Sequence, residues 1–332
     1  MKPVTVLLTG AGGVVIPFLI RSLGEKGYRV LAADMDPLAP GLRLAEKGFT
    51  IPPGKDPRFL PVLRALCKEE RIDVIVPLVD EELSAALGLE RDGVVVLTPK
   101  REFVDLCLDK YRLALELGKA GLRAPLTRLC SPPVDLAPPF IVKPRTGRGS
   151  RDVHLVRSNE EFSAFVDARR DLLDRFIAQE YIGGTEFTVS VVAWRDGEVR
   201  AVVPKEIISK KGVTRSAVTR RNRKIEVLCT GIQENLHADG PFNVQLRLDP
   251  ESGDPVPFEI NPRFSTTVSL TIAAGIDEVH GLIALATGRG DPHAFGSWKE
   301  GLVLVREAID RFMDEEEFLR HPVIDASDLP GA

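Results

Sequence analysis

The first hundred residues alternate between short apolar runs and longer segments in which apolar and polar residues are mixed. The apolar runs predict buried strands at residues 4–9, 29–34 and 73–78. The mixed segments predict helices at residues 14–26 and 56–70. Because strands that alternate with helices are typical of parallel sheets, we expect a doubly wound α/β domain at the N-terminus.

After residue 98 the pattern changes to helices and isolated strands separated by proline-rich breaks. Helical elements are predicted at residues 105–120, 159–174 and 265–286. Ser158, followed by Glu161, predicts a capping box at the start of the second helix. The predicted division of the chain is an α/β domain at 1–98, a linker helix with a small α+β lobe at 99–182, and a larger lobe with a tail at 183–332.

Two strands in the C-terminal third place oxygen-bearing side chains at alternate positions. They span residues 241–248 and 257–263, separated by a gap rich in turn-forming residues. On paired strands, Gln245, Glu259 and Asn261 would present oxygen ligands, which suit magnesium held together with substrate phosphates. Arg263 could reach a phosphoryl group or a carboxylate with its planar fork. The alternative is a hairpin whose polar side chains simply face water.

A second group of residues suggests phosphate binding. The apolar strand at 140–144 contains Lys143 next to its end, and Arg145-Thr146-Gly147-Arg148-Gly149-Ser150 follows it. Glycines give such a loop the conformational freedom to approach phosphates with its backbone amides. A lysine at the end of a strand is by itself more often a solvated residue, so this segment gains its meaning from the others.

Together these segments resemble the ATP-grasp superfamily, and in particular its carbamoyl-phosphate synthetase-like group, which includes amino-acid ligases. The resemblance rests on Gln245, on Glu259-Ile260-Asn261-Pro262-Arg263 and on the segment that begins at Lys143-Pro144-Arg145. It implies a pre-ATP-grasp parallel-sheet domain followed by an ATP-grasp fold of two α+β lobes. It also implies ATP as cofactor, with magnesium, or manganese in its place.

The resemblance assigns roles to individual residues. The backbone of Glu180, Tyr181 and Ile182 would pair with the adenine edge, and Glu186 would accept hydrogen bonds from the ribose. The nucleotide-binding residues that it implies are Lys110, Lys143, Arg145, Gly147, Gly149, Ser150, Glu180, Tyr181, Ile182, Glu186 and Lys205. The metal ligands would be Gln245, Glu259 and Asn261, and the catalytic residues Lys143 and Arg263.

The function that follows is an ATP-dependent carboxylate–amine ligase, which forms an acyl phosphate and releases ADP and phosphate. One alternative is an NAD(P)-binding oxidoreductase, because Gly10-Ala11-Gly12-Gly13 follows the first strand and Asp34 ends the second. Val15 occupies the position of the third glycine in the dinucleotide fingerprint, which weakens that reading. A non-catalytic nucleotide-binding protein is the other alternative.

Composition narrows the class of partners. The 332 residues carry a net charge of −4, which argues against nucleic acid as a general partner. No apolar run approaches the ~18 residues that a membrane-spanning helix needs, so we expect a cytoplasmic protein that acts on small carboxylates and amines, with a homodimer left open. The basic stretch 205–224 predicts either a lid over an anionic substrate or a solvated loop.

Overall fold

The computed structural model describes residues 2–131, 134–147, 149, 151–291, 295–310, 312–320 and 322–332. The chain forms two compact units. The first unit comprises Met1–Arg101, Arg263–Lys299 and Val305–Ala332, and the second comprises Glu102–Pro262 and Glu300–Leu304. The domain boundaries predicted from the sequence, at residues 98 and 182, differ from the bounds of these two units and stay a prediction.

The strands follow one another along the chain as β1 (Thr5–Thr9), β2 (Arg29–Asp34), β3 (Lys47–Thr50), β4 (Val74–Val76), β5 (Val95–Val96), β6 (Thr127–Leu129), β7 (Phe140–Pro144), β8 (His154–Val156), β9 (Phe176–Glu180), β10 (Glu186–Ala193), β11 (Val199–Lys211), β12 (Val213–Thr219), β13 (Phe242–Leu248), β14 (Pro255–Asn261), β15 (Val303–Val305) and β16 (Val323–Asp325).

The α-helices are α1 (Ile16–Glu25), α2 (Phe59–Glu70), α3 (Asp80–Ala86), α4 (Arg101–Leu108), α5 (Lys110–Lys119), α6 (Asn159–Ala168), α7 (Arg223–Leu236), α8 (Val268–Ala273), α9 (Glu278–Ala286) and α10 (Glu315–Arg320). Short 3₁₀ helices lie at Pro40–Arg43, Leu87–Asp92, Arg170–Arg175 and Ala326–Asp328. None of the helices in the described part of the chain combines the length and the apolar character needed to span a membrane.

The first unit is built on a six-stranded sheet. The strand order is β16-β3-β2-β1-β4-β5, and every neighbouring pair is parallel. Strand β1 is buried along its whole length, as an inner strand of a sheet with two covered faces requires. The parallel sheet predicted for the N-terminal residues is therefore confirmed.

The second unit contains two sheets with antiparallel pairs, ordered β6-β9-β7-β8 and β14-β13-β10-β11-β12-β15. In the larger sheet, Phe242, Val244 and Leu246 of β13 point into a core with helices α4, α5 and α7. In the smaller sheet, Phe140 and Val142 point into a core with α6. Because successive side chains alternate between faces, the residues between these positions face away from the two cores.

Three predicted helices are interrupted in the structure. The helix expected at 159–174 ends at Ala168, and a separate 3₁₀ helix follows at Arg170–Arg175. The helix expected at 105–120 is wrong as a single element, since α4 and α5 are separated at Asp109. Asp109 has an extended backbone conformation, and its carboxylate accepts hydrogen bonds from the amides of Tyr111 and Arg112, so it starts a new helix as an N-cap. The element expected at 265–286 likewise consists of α8 and α9, because Gly275 between them has a φ of 116°.

The basic stretch forms regular structure. Its first part belongs to a hairpin of β11 and β12, with Gly212 at the turn in a left-handed conformation, and its last residues begin α7. The expectation of a solvated loop is therefore wrong for most of the stretch, and a role as a substrate lid stays a prediction.

Candidate active site

A cavity of about 400 Å³ is lined by residues of both sheets of the second unit. The smaller sheet contributes the face opposite its core, and strands β10, β13 and β14 of the larger sheet contribute the face opposite theirs. The residues predicted from the sequence that line this cavity are Lys110, Lys143, Gly147, Glu180, Tyr181, Ile182, Glu186, Gln245 and Glu259. Strands from two sheets and the start of helix α5 therefore bring together residues that lie up to 149 positions apart (259 − 110).

Two lysines and one carboxylate meet at one end of the cavity. The Lys110 ammonium lies 3.7 Å from the Glu259 carboxylate and donates a 2.6 Å hydrogen bond to the carbonyl oxygen of Gly147. The Lys143 ammonium donates to the carbonyl oxygen of Phe258 at 3.1 Å. Both lysines are buried, so the cluster carries an excess of positive charge where water screens it poorly. An anionic ligand would relieve this excess.

The protonation of Lys143 reflects that environment. Burial lowers the pKa of Lys143 to about 8. The Glu259 carboxylate opposes the shift, and the Lys110 ammonium adds to it. Lys143 is therefore charged at neutral pH, and the charge would be stabilised by phosphate oxygens in the cavity.

Glu180 borders another part of the cavity and is held through its own backbone. The Glu180 amide donates to the carbonyl oxygen of Leu126 at 2.8 Å, and the Glu180 carboxylate accepts from the Leu126 amide at 3.0 Å. These bonds fix the turn into Tyr181 and Ile182 at the cavity wall. The carboxylate of Glu180 is thus structural here, as expected if only the backbone of this segment meets a ligand.

Glu186 lies between two cations. Its carboxylate pairs with Lys210 at 2.8 Å and with Arg247 at 3.1 Å, and all three residues line the cavity. Lys210 comes from the hairpin described above and Arg247 from β13. A carboxylate fixed in this way is positioned to accept hydrogen bonds from a sugar hydroxyl.

The predicted metal ligands divide into two groups. Gln245 and Glu259 are directly opposite each other on β13 and β14 and both line the cavity, whereas Asn261 is buried and does not. Within the described residues no group of three or more His, Cys, Asp or Glu could hold a metal ion. One carboxylate and one amide oxygen fit a magnesium ion that takes its remaining ligands from phosphates and water, rather than a site built from protein ligands alone.

Three predicted cations lie away from the cavity wall. Arg145 is bound by Asp109. Lys205 has no exposed surface and donates to the Ser190 hydroxyl at 2.8 Å. Arg263 belongs to the first unit, where its guanidinium donates to the Asp80 carboxylate.

One described glycine of the predicted phosphate loop is also absent from the cavity wall. Gly149 has a left-handed φ of 71° and does not line the cavity. Ser150 lies outside the described residues. Gly147, with a φ of 132°, is the loop glycine that does border the cavity.

Sequence reasoning missed several residues at the wall, among them Ile141, Arg151, Lys210 and Arg247. Ile141 and Arg247 stand two positions from Lys143 and Gln245 on the same strands, so the period-two alternation could have identified them. No local signal distinguishes Lys210 from its basic neighbours, because its place at the wall depends on how the hairpin lies over Glu186.

The glycine turn after β1 is the segment that suggested a dinucleotide site, and its backbone amides are engaged within the protein. The amide of Ala11 donates to the Ala33 carbonyl oxygen, that of Gly12 to the Asp34 carboxylate, and that of Gly13 to the Gly10 carbonyl oxygen. These three amides therefore already donate hydrogen bonds within the protein and are not available to a pyrophosphate. This geometry removes the main support for a dinucleotide site.

Family models match both parts of the chain. Residues 6–92 match the model described as "PylC-like, N-terminal domain", and residues 173–308 match "ATP-grasp in the biosynthetic pathway with Ter operon". The part of the chain that contains residues 173–308 thus matches an ATP-grasp family model, in agreement with the resemblance found in the sequence. The second match includes β13 and β14, so the ATP-grasp assignment covers the strands that carry Gln245 and Glu259.

A relative of known name matches along most of the chain. The carbamoyl phosphate synthase large chain of Pasteurella multocida (strain Pm70) is 24% identical over 319 residues, which cover 81% of this chain and 29% of that protein. The chain therefore spans less than a third of this relative's length.

Two solved structures share the fold. The L-amino acid ligase from Bacillus licheniformis superposes with a TM-score of 0.69 at 20% identity, over 89% of this chain and 78% of that one. The biotin carboxylase domain of the Hydrogenobacter thermophilus 2-oxoglutarate carboxylase, in complex with MgADP, ADP and bicarbonate, superposes with a TM-score of 0.69 at 16% identity, over 87% of this chain and 71% of that one. The predicted ATP-grasp fold is therefore confirmed.

Proposed function

We propose that the chain is an ATP-dependent carboxylate–amine ligase that works through an acyl phosphate. The observation that carries the proposal is the cluster of Lys110, Lys143 and Glu259 in a cavity that also contains Gln245. Such a cluster suits the outer phosphates of ATP, because phosphoryl transfer depends on positioning and charge neutralisation rather than on a protein nucleophile. The name of one structural neighbour, the L-amino acid ligase from Bacillus licheniformis, supports the same reaction class.

Each part of the cavity has a role in this proposal. The turn at Glu180–Ile182 receives the adenine through its backbone, and Glu186 receives the ribose. Lys110 and Lys143 neutralise phosphate oxygens, while Gln245 and Glu259 would hold magnesium, with Asn261 kept as a predicted ligand. A bound magnesium ion would supply charge neutralisation at the β- and γ-phosphate oxygens.

The reaction has two steps. A substrate carboxylate oxygen attacks the γ-phosphorus of ATP, the bond from phosphorus to the bridging oxygen breaks, and ADP leaves. The nitrogen of an amine then attacks the acyl carbon of the acyl phosphate, phosphate leaves, and the nitrogen loses a proton. Arg263 stays a predicted catalytic residue for these steps.

A trapping experiment tests the proposal. The purified chain is incubated with magnesium, ATP and hydroxylamine against a panel of amino acids and other small carboxylates, and hydroxamate and nucleotide products are measured. We expect one class of acid to give hydroxamate together with an equal amount of ADP. AMP with pyrophosphate would show adenylate chemistry instead, and ATP binding without any product across the panel would favour a non-catalytic nucleotide-binding protein.

A further inference from the structure

One ion pair joins the two elements that carry the lysines of the cavity. Asp109 immediately precedes Lys110 at the start of α5, and Arg145 follows β7, two residues after Lys143. The Arg145 guanidinium donates from Nε to Asp109 Oδ1 at 2.9 Å and from Nη2 to Asp109 Oδ2 at 2.6 Å. A two-point bond of this kind fixes orientation as well as distance.

Backbone hydrogen bonds close the same junction. The Lys110 amide donates to the Arg145 carbonyl oxygen at 3.0 Å, and the Lys110 ammonium donates to the Gly147 carbonyl oxygen. The Arg145 amide in turn donates to the Arg175 carbonyl oxygen at 2.8 Å, next to β9. The start of α5 and the chain that leaves β7 are thus held at several points around one carboxylate.

Asp109 has no capacity left for another task. Besides Arg145, its carboxylate accepts from the amides of Tyr111 and Arg112. Burial alone would raise the pKa of Asp109, but the hydrogen bonds from Arg145 and from these two amides outweigh it and lower the pKa. The carboxylate is therefore charged and fully engaged near neutral pH.

The geometry leads to a different role for Arg145 from the one that its place in the glycine loop suggests. We propose that Asp109 and Arg145 are positioning residues, whose ion pair sets the spacing of Lys110 and Lys143 for the polyphosphate of the nucleotide. The inference rests on the proposed function, since it requires ATP in the cavity. Arg145 acts through the lysines and does not itself bind phosphate.

The physical reason is the repulsion between two buried ammonium groups. The two ammonium groups lie at the same end of the cavity, since Lys110 lies 3.7 Å from the Glu259 carboxylate and Lys143 donates to the carbonyl oxygen of the preceding residue, Phe258. Without a rigid connection, α5 and β7 could move apart and reduce that repulsion, at the expense of the arrangement that fits adjacent phosphates. The ion pair opposes this movement, so its loss weakens the binding of a triphosphate and leaves the binding of a nucleoside unchanged.

The test uses Asp109→Asn, because asparagine caps a helix about as well as aspartate but lacks the charge and the second oxygen for Arg145. Affinities for ATP and for adenosine are measured by calorimetry, alongside thermal unfolding. We expect Asp109→Asn and Arg145→Gln each to weaken ATP binding about tenfold. The double variant should bind ATP with the same affinity as the single variant that binds it less tightly, because both changes break the same ion pair. Adenosine binding should stay unchanged in all variants. Asp167→Asn, which breaks the exposed ion pair with Arg170 on the same lobe, is the matched control and should behave as the unmodified chain.

Each other outcome overturns the inference. If Arg145→Gln weakens ATP binding and Asp109→Asn does not, Arg145 contacts phosphate directly. If adenosine binding falls together with ATP binding, the pair is only structural. An unmodified chain that binds no ATP would contradict the proposed function itself. If the unmodified chain binds ATP and Asp109→Asn binds it with the same affinity, the positioning role alone is contradicted.

Discussion

The glycine-containing turns after β1 and after β7 differ, because the described part of the second turn borders a cavity with excess positive charge and the first turn does not line that cavity. After β1, the amides of Ala11, Gly12 and Gly13 are all bound within the first unit. After β7, Gly147 borders the cavity beside Lys110 and Lys143. The comparison teaches that glycine supplies conformational freedom, while phosphate binding also requires cations and backbone groups that the fold has left for a ligand.

The largest expected effect concerns the charge at the cavity. Glu259→Gln removes the carboxylate expected to hold magnesium, and we expect ADP release to fall by roughly a hundredfold or more, the scale seen when a group that stabilises transferring charge is lost. ATP affinity should change little, because the adenine and ribose contacts lie elsewhere. Single-turnover ADP release and calorimetric ATP binding measure the two quantities.

The control for that experiment is Glu251→Gln, in the exposed turn between β13 and β14. It removes the same charge from the same hairpin and should leave ADP release unchanged. Full turnover in Glu259→Gln would contradict the metal assignment and with it the contrast between the two turns.

A smaller effect is expected from pH. Since the pKa of Lys143 is lowered to about 8 in the free protein and phosphate would raise it, ATP binding should take up a proton above pH 8. ATP affinity should then fall by about tenfold per pH unit as pH rises above 8, until the raised pKa of the complex is reached. Calorimetry in buffers of different ionisation enthalpy measures both the affinity and the proton uptake.

Lys143→Arg is the comparison for the pH experiment, because arginine keeps its charge over this range. The ATP affinity of Lys143→Arg, whatever its absolute value, should be independent of pH between about 7.5 and about 9.5. The same slope in both proteins would mean that another group titrates.

The smallest effect concerns the turn after β1. Asp34 accepts hydrogen bonds from the amides of Gly12 and Asp36, so Asp34→Ala should lower the free energy of unfolding by about 1 kcal/mol, with no change in ADP release. Chemical denaturation measures the stability. The control is Asp36→Ala, which removes an exposed aspartate two residues away and the hydrogen bond that its carboxylate accepts from the Leu38 amide.

A result of the opposite kind would remove the distinction between the turns. If NAD raised the melting temperature of the unmodified chain and Asp34→Ala abolished that rise, the turn after β1 would bind a dinucleotide despite its internal hydrogen bonds. ATP should raise the melting temperature in both proteins by the same amount.

The sequence by itself determined the strand alternation of the N-terminal sheet, the resemblance to ATP-grasp proteins, and the strands that present Gln245 and Glu259. These features depend on the spacing of side chains along single elements. In a strand this spacing is an alternation with period two, which can be recognised in the sequence. The pattern of apolar positions alone did not reveal the break at Asp109, because a helix pattern continues on both sides of it. The hydrogen bonds that Asp109 accepts from the Tyr111 and Arg112 amides show that a second helix begins there.

Only the tertiary structure decided which basic side chains reach the cavity. Lys205 is enclosed beside Ser190, Arg145 is bound by Asp109, and Lys210 and Arg247 meet at Glu186. In the sequence, all four are simply cations near a strand end or a loop. Their exposure and their partners depend on residues far away along the chain, and the free energy of a buried charge depends on those partners more than on its own identity.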